Sequence, residues 1–153
     1  MAELLRVQVE TRRGIPVAGS THWTGGAWLI MVNADDAPTR QRFTIGHELK
    51  HVIDHPIVNI AYPAIGDLSS EERQEDLCDY FSACVLMPRR WLKHYWGLGY
   101  QRTDELARMF GVSRAAMRYR LIDIGLLDPS VRRRHYFRAL PLAGTQPQEA
   151  LIA

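Results

Sequence analysis

Cysteine is nearly missing from this chain of 153 residues, and the two present, Cys78 and Cys84, lie six apart on one predicted helix, pointing to different faces. A disulfide between them is geometrically implausible, so a cystine-stapled secreted domain is not expected and a reducing, cytoplasmic compartment is. Long apolar runs are missing too. Residues 1–13 alternate apolar and charged side chains and hold no run long enough for a secretory signal or a membrane span, so no membrane partner is expected. Strong overall charge is also lacking, at a formal +2. What is present is a 46% hydrophobic content, enough for one compact core and a small appended module but not for a second large domain.

Against that plain background stands His47-Glu48-Leu49-Lys50-His51, the H-E-x-x-H pattern. Residues four apart share one face of a helix, so both imidazoles can reach a single metal ion. Glu48 is rotated off the line of the two histidines, which lets its carboxylate meet a water without displacing it. The surroundings predict the helix this requires. Asp36 can cap it, Pro38 fits its first turn, Phe43, Val52 and Ile53 give it apolar surface, and Pro56 ends it, for a helix over about residues 37–54.

Such a site needs a third protein ligand. Glu75 is the preferred candidate, on a second helix that starts at Ser69 or Ser70, with Glu72 completing a capping box and Pro88 closing it. Asp79 lies four residues on and shares its face, which suits a carboxylate accepting the outer N–H of a ligating histidine. Glu71 and Glu72 sit in the first turn, where carboxylates commonly serve the helix dipole. Cys78, three residues from Glu75, could approach the metal, although a small buried cysteine is common in helices. The stem of Lys50 could lie beside the cleft, although a solvated lysine is the plainer reading. Among His55, His22 and His94, His55 is nearest to the motif and is the candidate for an oxyanion or substrate contact.

These residues carry a resemblance. The block from Arg42 to His51, the pair Glu75 and Asp79, then Phe81-Ser82-Ala83 and Leu86-Met87-Pro88 look like the ImmA/IrrE family of zinc metallopeptidases, over about residues 28–127. The resemblance implies that His47, His51 and Glu75 hold Zn2+ and that Glu48 is the catalytic base. Asp79 stands where the family carries Asn or Asp. Two positions depart from its pattern: Lys50 replaces a common Gly, and Cys78 a usual Ala. The resemblance also implies the substrate class, since the family includes regulatory peptidases that cut a helix-turn-helix repressor, and some members sit beside toxin-antitoxin genes. An antitoxin-like regulator is therefore an expected partner.

The rest of the chain frames this centre. Residues 7–10 and 15–23 read as strands, and Thr24-Gly25-Gly26 turns the chain into a third at 27–32. The expected fold is α+β, zincin-like, with a small antiparallel sheet, zinc-binding helices and a C-terminal helix-turn-helix-like segment. Residues 1–97 form the expected peptidase core, 98–138 the helical segment and 139–153 a flexible tail. In the helical segment Leu106, Ala107, Phe110, Val112, Met117 and Leu121 form a small core around a turn at Gly111 to Ser113. Trp91, Tyr95 and Trp96, after Pro88, are expected to pack in the core or the cleft wall.

Charge is uneven, with nine Arg against four acidic residues over 100–138 and ten basic against twelve acidic over 1–99. Arg114, Arg118, Arg120 and Arg132 to Arg134 would be the phosphate contacts if DNA binds, a possible partner that is not favoured. Three functions compete: a regulatory zinc endopeptidase, a DNA-binding regulator whose zinc site is structural or metal-sensing, and a module that holds its regulator uncut. An intact Glu48 speaks for the first, because a purely structural zinc site needs no poised carboxylate.

Overall fold

A computed structural model of the chain describes residues 6–57, 60 and 70–128. Three strands come first: β1 (Val7–Arg12), β2 (Gly19–Thr24) and β3 (Ala27–Asn33). Helix α1 (Pro38–Asp54) runs into a 3-10 turn (His55–Ile57), and α2 (Ser70–Leu86), α3 (Arg89–Gly97), α4 (Thr103–Phe110) and α5 (Arg114–Asp123) follow. The N-terminal five residues, the Ser69 cap, Arg132 to Arg134 and the 139–153 tail lie outside the described residues.

The sheet is mixed, which corrects the expected antiparallel arrangement. Its order is β1-β3-β2, with β1 parallel to β3 and β2 antiparallel to it. Gly25 and Gly26, both at positive φ of 57° and 82°, make the two-residue hairpin between β2 and β3. β3 carries the apolar run, with Ile30 and Val32 fully buried, whereas β1 is exposed along almost all its length. Placing β3 centrally lets it bury that run and bond on both edges. The 13–18 connection is long enough to arch over the end of β3, where the Asn33 amide donates to the Ile15 carbonyl at 3.1 Å and Asp35 accepts from the Gly14 N–H at 2.8 Å.

Helix α1 begins at Pro38, not at a residue capped by Asp36. A residue before proline is pushed out of the helical region, so Ala37 is extended and its carbonyl receives the first helical bonds. The Asp36 carboxylate, one position too early, pairs with Arg40 at 3.1 Å.

Two apolar clusters flank α1. Ile30, Val32 and Val52 join the sheet to it, while Met87, Leu92, Leu106, Met117 and Leu121 centre a larger cluster among α2 to α5. Between them α1 and α2 approach closely at two small residues. A methyl at Gly46 would come within 2.6 Å of the Ser82 hydroxyl, which itself donates to the Phe43 carbonyl at 2.7 Å. That approach sets the distance between the histidines of one helix and the carboxylates of the other.

The basic residues of α4 and α5 are largely committed to the fold. Arg120 is buried, donates to the Met87 carbonyl at 3.1 Å and to Asp123 at 2.6 Å, and lies over the Tyr80 ring. It is a tie between α5 and the α2–α3 junction, so its assignment as a phosphate contact is corrected. Arg114 pairs with Asp104 at 2.8 Å. Arg42 of α1 donates to the carbonyls of Phe110 and Gly111, clamping the α4–α5 turn where Gly111 adopts positive φ. Trp91 is half-exposed, against the expectation of a core ring, while Tyr95 and Trp96 pack on the larger cluster.

Candidate metal centre

On α1 the four-residue spacing brings His47 and His51 together with their Nε2 atoms 3.1 Å apart. From α2, Glu75 faces the pair with both carboxylate oxygens, Oε2 lying 3.3 Å from His47 Nε2 and Oε1 3.3 Å from His51 Nε2. An ion held tetrahedrally at about 2.0–2.1 Å from its donors sets neighbouring donors about 3.3–3.4 Å apart. The three side chains therefore already stand at the edges of such a polyhedron. Glu75 Oε2 is buried and accepts no hydrogen bond, although it faces His47. A buried carboxylate oxygen left without a donor is costly, and a cation would relieve it.

Behind this cluster, Asp79 is almost fully buried and lies 2.7 Å from Nδ1 of His47, which fixes the ring with Nε2 turned inward. Burial alone would make the His47 cation harder to form. The hydrogen bond to Asp79 and the negative charges of Asp79 and Glu75 close by override it and raise the His47 pKa to about 10. Glu75 is the counterpart: burial would push its pKa up, but His47 and His51 pull it down to about 2. Both shifts say that the pocket is built to hold positive charge.

Two contacts escaped sequence reasoning. Gln74 places its amide nitrogen 3.1 Å from Nδ1 of His51, where the amide N–H donates to the ring. The signal was available: Gln74, Glu75, Cys78 and Asp79 follow the i, i+1, i+4, i+5 spacing of one helix face. The second is on β2, where the Thr21 hydroxyl donates to Glu48 Oε2 at 2.6 Å. Glu48 thus turns toward the sheet while His47 and His51 turn toward α2. Nothing in a 27-residue separation announces that bond.

With this geometry in hand, comparison with known proteins is informative. The sequence profile of the IrrE N-terminal-like domain, peptidase family M78, matches residues 6–122. The chain belongs to this IrrE-like family. It is similar to the radiation response metalloprotease IrrE of Deinococcus radiodurans, 30% identical over 113 residues, which cover 66% of this chain and 34% of that protein. The same-named protein of Deinococcus deserti is 29% identical over 101 residues, covering 62% of this chain and 36% of that one. The chain spans about a third of the length of the curated relatives it matches.

The remaining candidates of this IrrE-like domain fall into place around the cluster. Cys78 is fully buried, and its sulfur lies within 4.8 Å of donors on both histidines. Glu75 is the better third donor on two counts. Its oxygens are nearer, at 3.3 Å, and it faces both histidines; without a metal, burial, together with Glu75, Asp54 and Asp79, pushes the Cys78 thiol well above its usual range. Lys50 is not simply solvated: it bonds to the buried Asp54 at 2.7 Å and lies over the Phe81 ring. His55 is exposed on the 3-10 turn, and its ring meets Trp28 edge-on at 4.8 Å. His22 bonds to Ser20, and His94 stacks with Trp91 and Tyr95.

Proposed function

We propose that this chain is the peptidase domain of a zinc-dependent, regulatory endopeptidase whose substrate is a helix-turn-helix repressor or an antitoxin-like protein. His47, His51 and Glu75 hold the ion, Asp79 orients His47, and Glu48 is the general base. The observation that carries the reading is the convergence of two Nε2 atoms and one carboxylate at 3.1–3.3 Å, with a fourth side chain, the acidic Glu48, held aside. A structural zinc site is normally closed by four protein ligands, and a free carboxylate beside three donors suits hydrolysis instead. The metalloprotease name of the two Deinococcus relatives supports the same class.

Zinc bound by these three ligands supplies Lewis acidity, polarising the scissile carbonyl and acidifying an adjacent water. The residues do the rest. Glu48 removes a proton from the attacking water and passes it to the departing amine. Asp79 fixes the His47 imidazole so that it presents Nε2, and Gln74 holds the His51 ring in place. His55, exposed on the 3-10 turn with its ring beside Trp28, is the candidate for the oxyanion or substrate contact.

Among the described residues no helix is long and apolar enough to cross a membrane. Cytoplasmic residence is part of the proposal and accords with Cys78 and Cys84 both standing as free thiols. The rival reading as a DNA-binding regulator is weakened by Arg120, which is buried in the fold instead of facing phosphate. The deciding experiment incubates the zinc-loaded protein with the helix-turn-helix regulator encoded beside its gene and measures intact mass. A single cut made by the wild type and not by Glu48→Gln is the expected result; association without any cut would favour the interaction module.

A further inference from the structure

We propose that Thr21 is a positioning residue that parks the Glu48 carboxylate beside the ion site and keeps it off the ion, an inference that rests on Glu48 being the base. A glutamate next to His47 on a flexible stem can reach the same ion as its neighbour. If it did so it would become another ligand and could no longer take a proton from a water. Something has to hold it aside, and β2 does this with two residues of one strand face.

Thr21 supplies the hold, through the 2.6 Å bond from its hydroxyl to Glu48 Oε2. Gly19, two positions earlier and so on the same face, supplies the room. A methyl at Gly19 would collide with Thr44 Cγ2 and come within 3.1 Å of Glu48 Oε1 and 3.2 Å of its Cγ. The seat is thus bare where the stem passes and hydroxylated where the carboxylate ends. One oxygen is tethered to the sheet and the other remains free to receive a proton. β2 is itself fixed by its full ladder to β3, so the tether is anchored in the sheet and not in a loop.

Only the hydroxyl matters in this account. Valine keeps the shape and the strand preference of threonine but cannot donate, whereas serine keeps the donor. The test loads the full chain with cobalt(II) in place of zinc and records the visible absorption, which weakens when a four-coordinate ion gains a ligand. For Thr21→Val we expect a weaker band, an unchanged band for Thr21→Ser, and a Thr21→Val/Glu48→Gln double variant that matches Glu48→Gln alone. A Thr21→Val spectrum identical to the wild type would overturn the proposal, as would an equal change in the Glu48→Gln background. If instead the spectra behave as expected while Glu48→Gln still cuts the neighbouring regulator at the wild-type rate, the tether stands and the base assignment falls.

Discussion

The two sides of the candidate centre are built in different ways. On the helical side, His47 and His51 meet Glu75, and each imidazole has its own outer partner, Asp79 or Gln74, so five side chains from α1 and α2 hold one another. On the strand side, among the described residues, Glu48 is held by one hydrogen bond, from Thr21. The proposed ion site is over-determined and the placement of the proposed base is not. Changes on the helical side should therefore act on metal content, and changes on the strand side on turnover.

The largest effect expected on that contrast is from His47→Ala, which removes one donor and orphans Asp79 and Glu75. Zinc content measured after gel filtration should fall from about one per chain to near zero, and retention of full occupancy would remove His47 from the ligand set. Next comes Glu48→Gln, for which we expect unchanged zinc content and turnover lower by roughly 10²–10⁴-fold. Loss of zinc in that variant would show that the two sides are not separable.

Asp79→Asn should be milder, weakening zinc affinity by about 10–100-fold in a chelator competition while leaving the chain folded. An affinity equal to the wild type would mean that the His47 ring is fixed by packing alone.

The smallest effect, step for step, is the dependence on pH. In the metal-free chain His47 keeps a proton up to about pH 10, and an ion must expel it. Apparent metal affinity should therefore rise about tenfold per pH unit through neutrality, with proton release detectable in weak buffer. The same shifts fix the sign for folding without metal. The raised His47 pKa contributes stability that is full below its usual 6.5 and lost as pH rises through about 10. The lowered Glu75 pKa contributes stability present above its usual 4.5 and lost as pH falls toward 2. A metal-free chain that unfolds more readily at pH 6 than at pH 10 would contradict the His47 assignment.

The helical side was also the legible one. His47 and His51 share a helix, as do Glu75 and Asp79, so a period of 3.6 residues, with Pro38, Pro56 and Pro88 and the serine cap signal before α2, locates both faces. The α2 bounds of Ser70 and Leu86 fall where Ser70 and Pro88 signalled them. What failed depended on chain segments meeting across the fold. Sheet order turns on whether residues 13–18 arch over β3, which alternation cannot reveal. Arg120 looked like part of a basic surface because charge counting cannot see the Met87 carbonyl that it ties. Lys50 read as solvated because the burial of Asp54 is a tertiary fact.

The contact between Gly46 and Ser82 is adjacent to the histidine motif and contains none of its donors. Glu75 lies seven residues from Ser82, about 10 Å along α2 at 1.5 Å per residue, so the two helices act as calliper arms with their pivot at this pair. Widening the pivot by one methyl opens the jaws at the donors without altering a single one of them. The gauge of the proposed ion site is thus set by two residues that carry none of its donors.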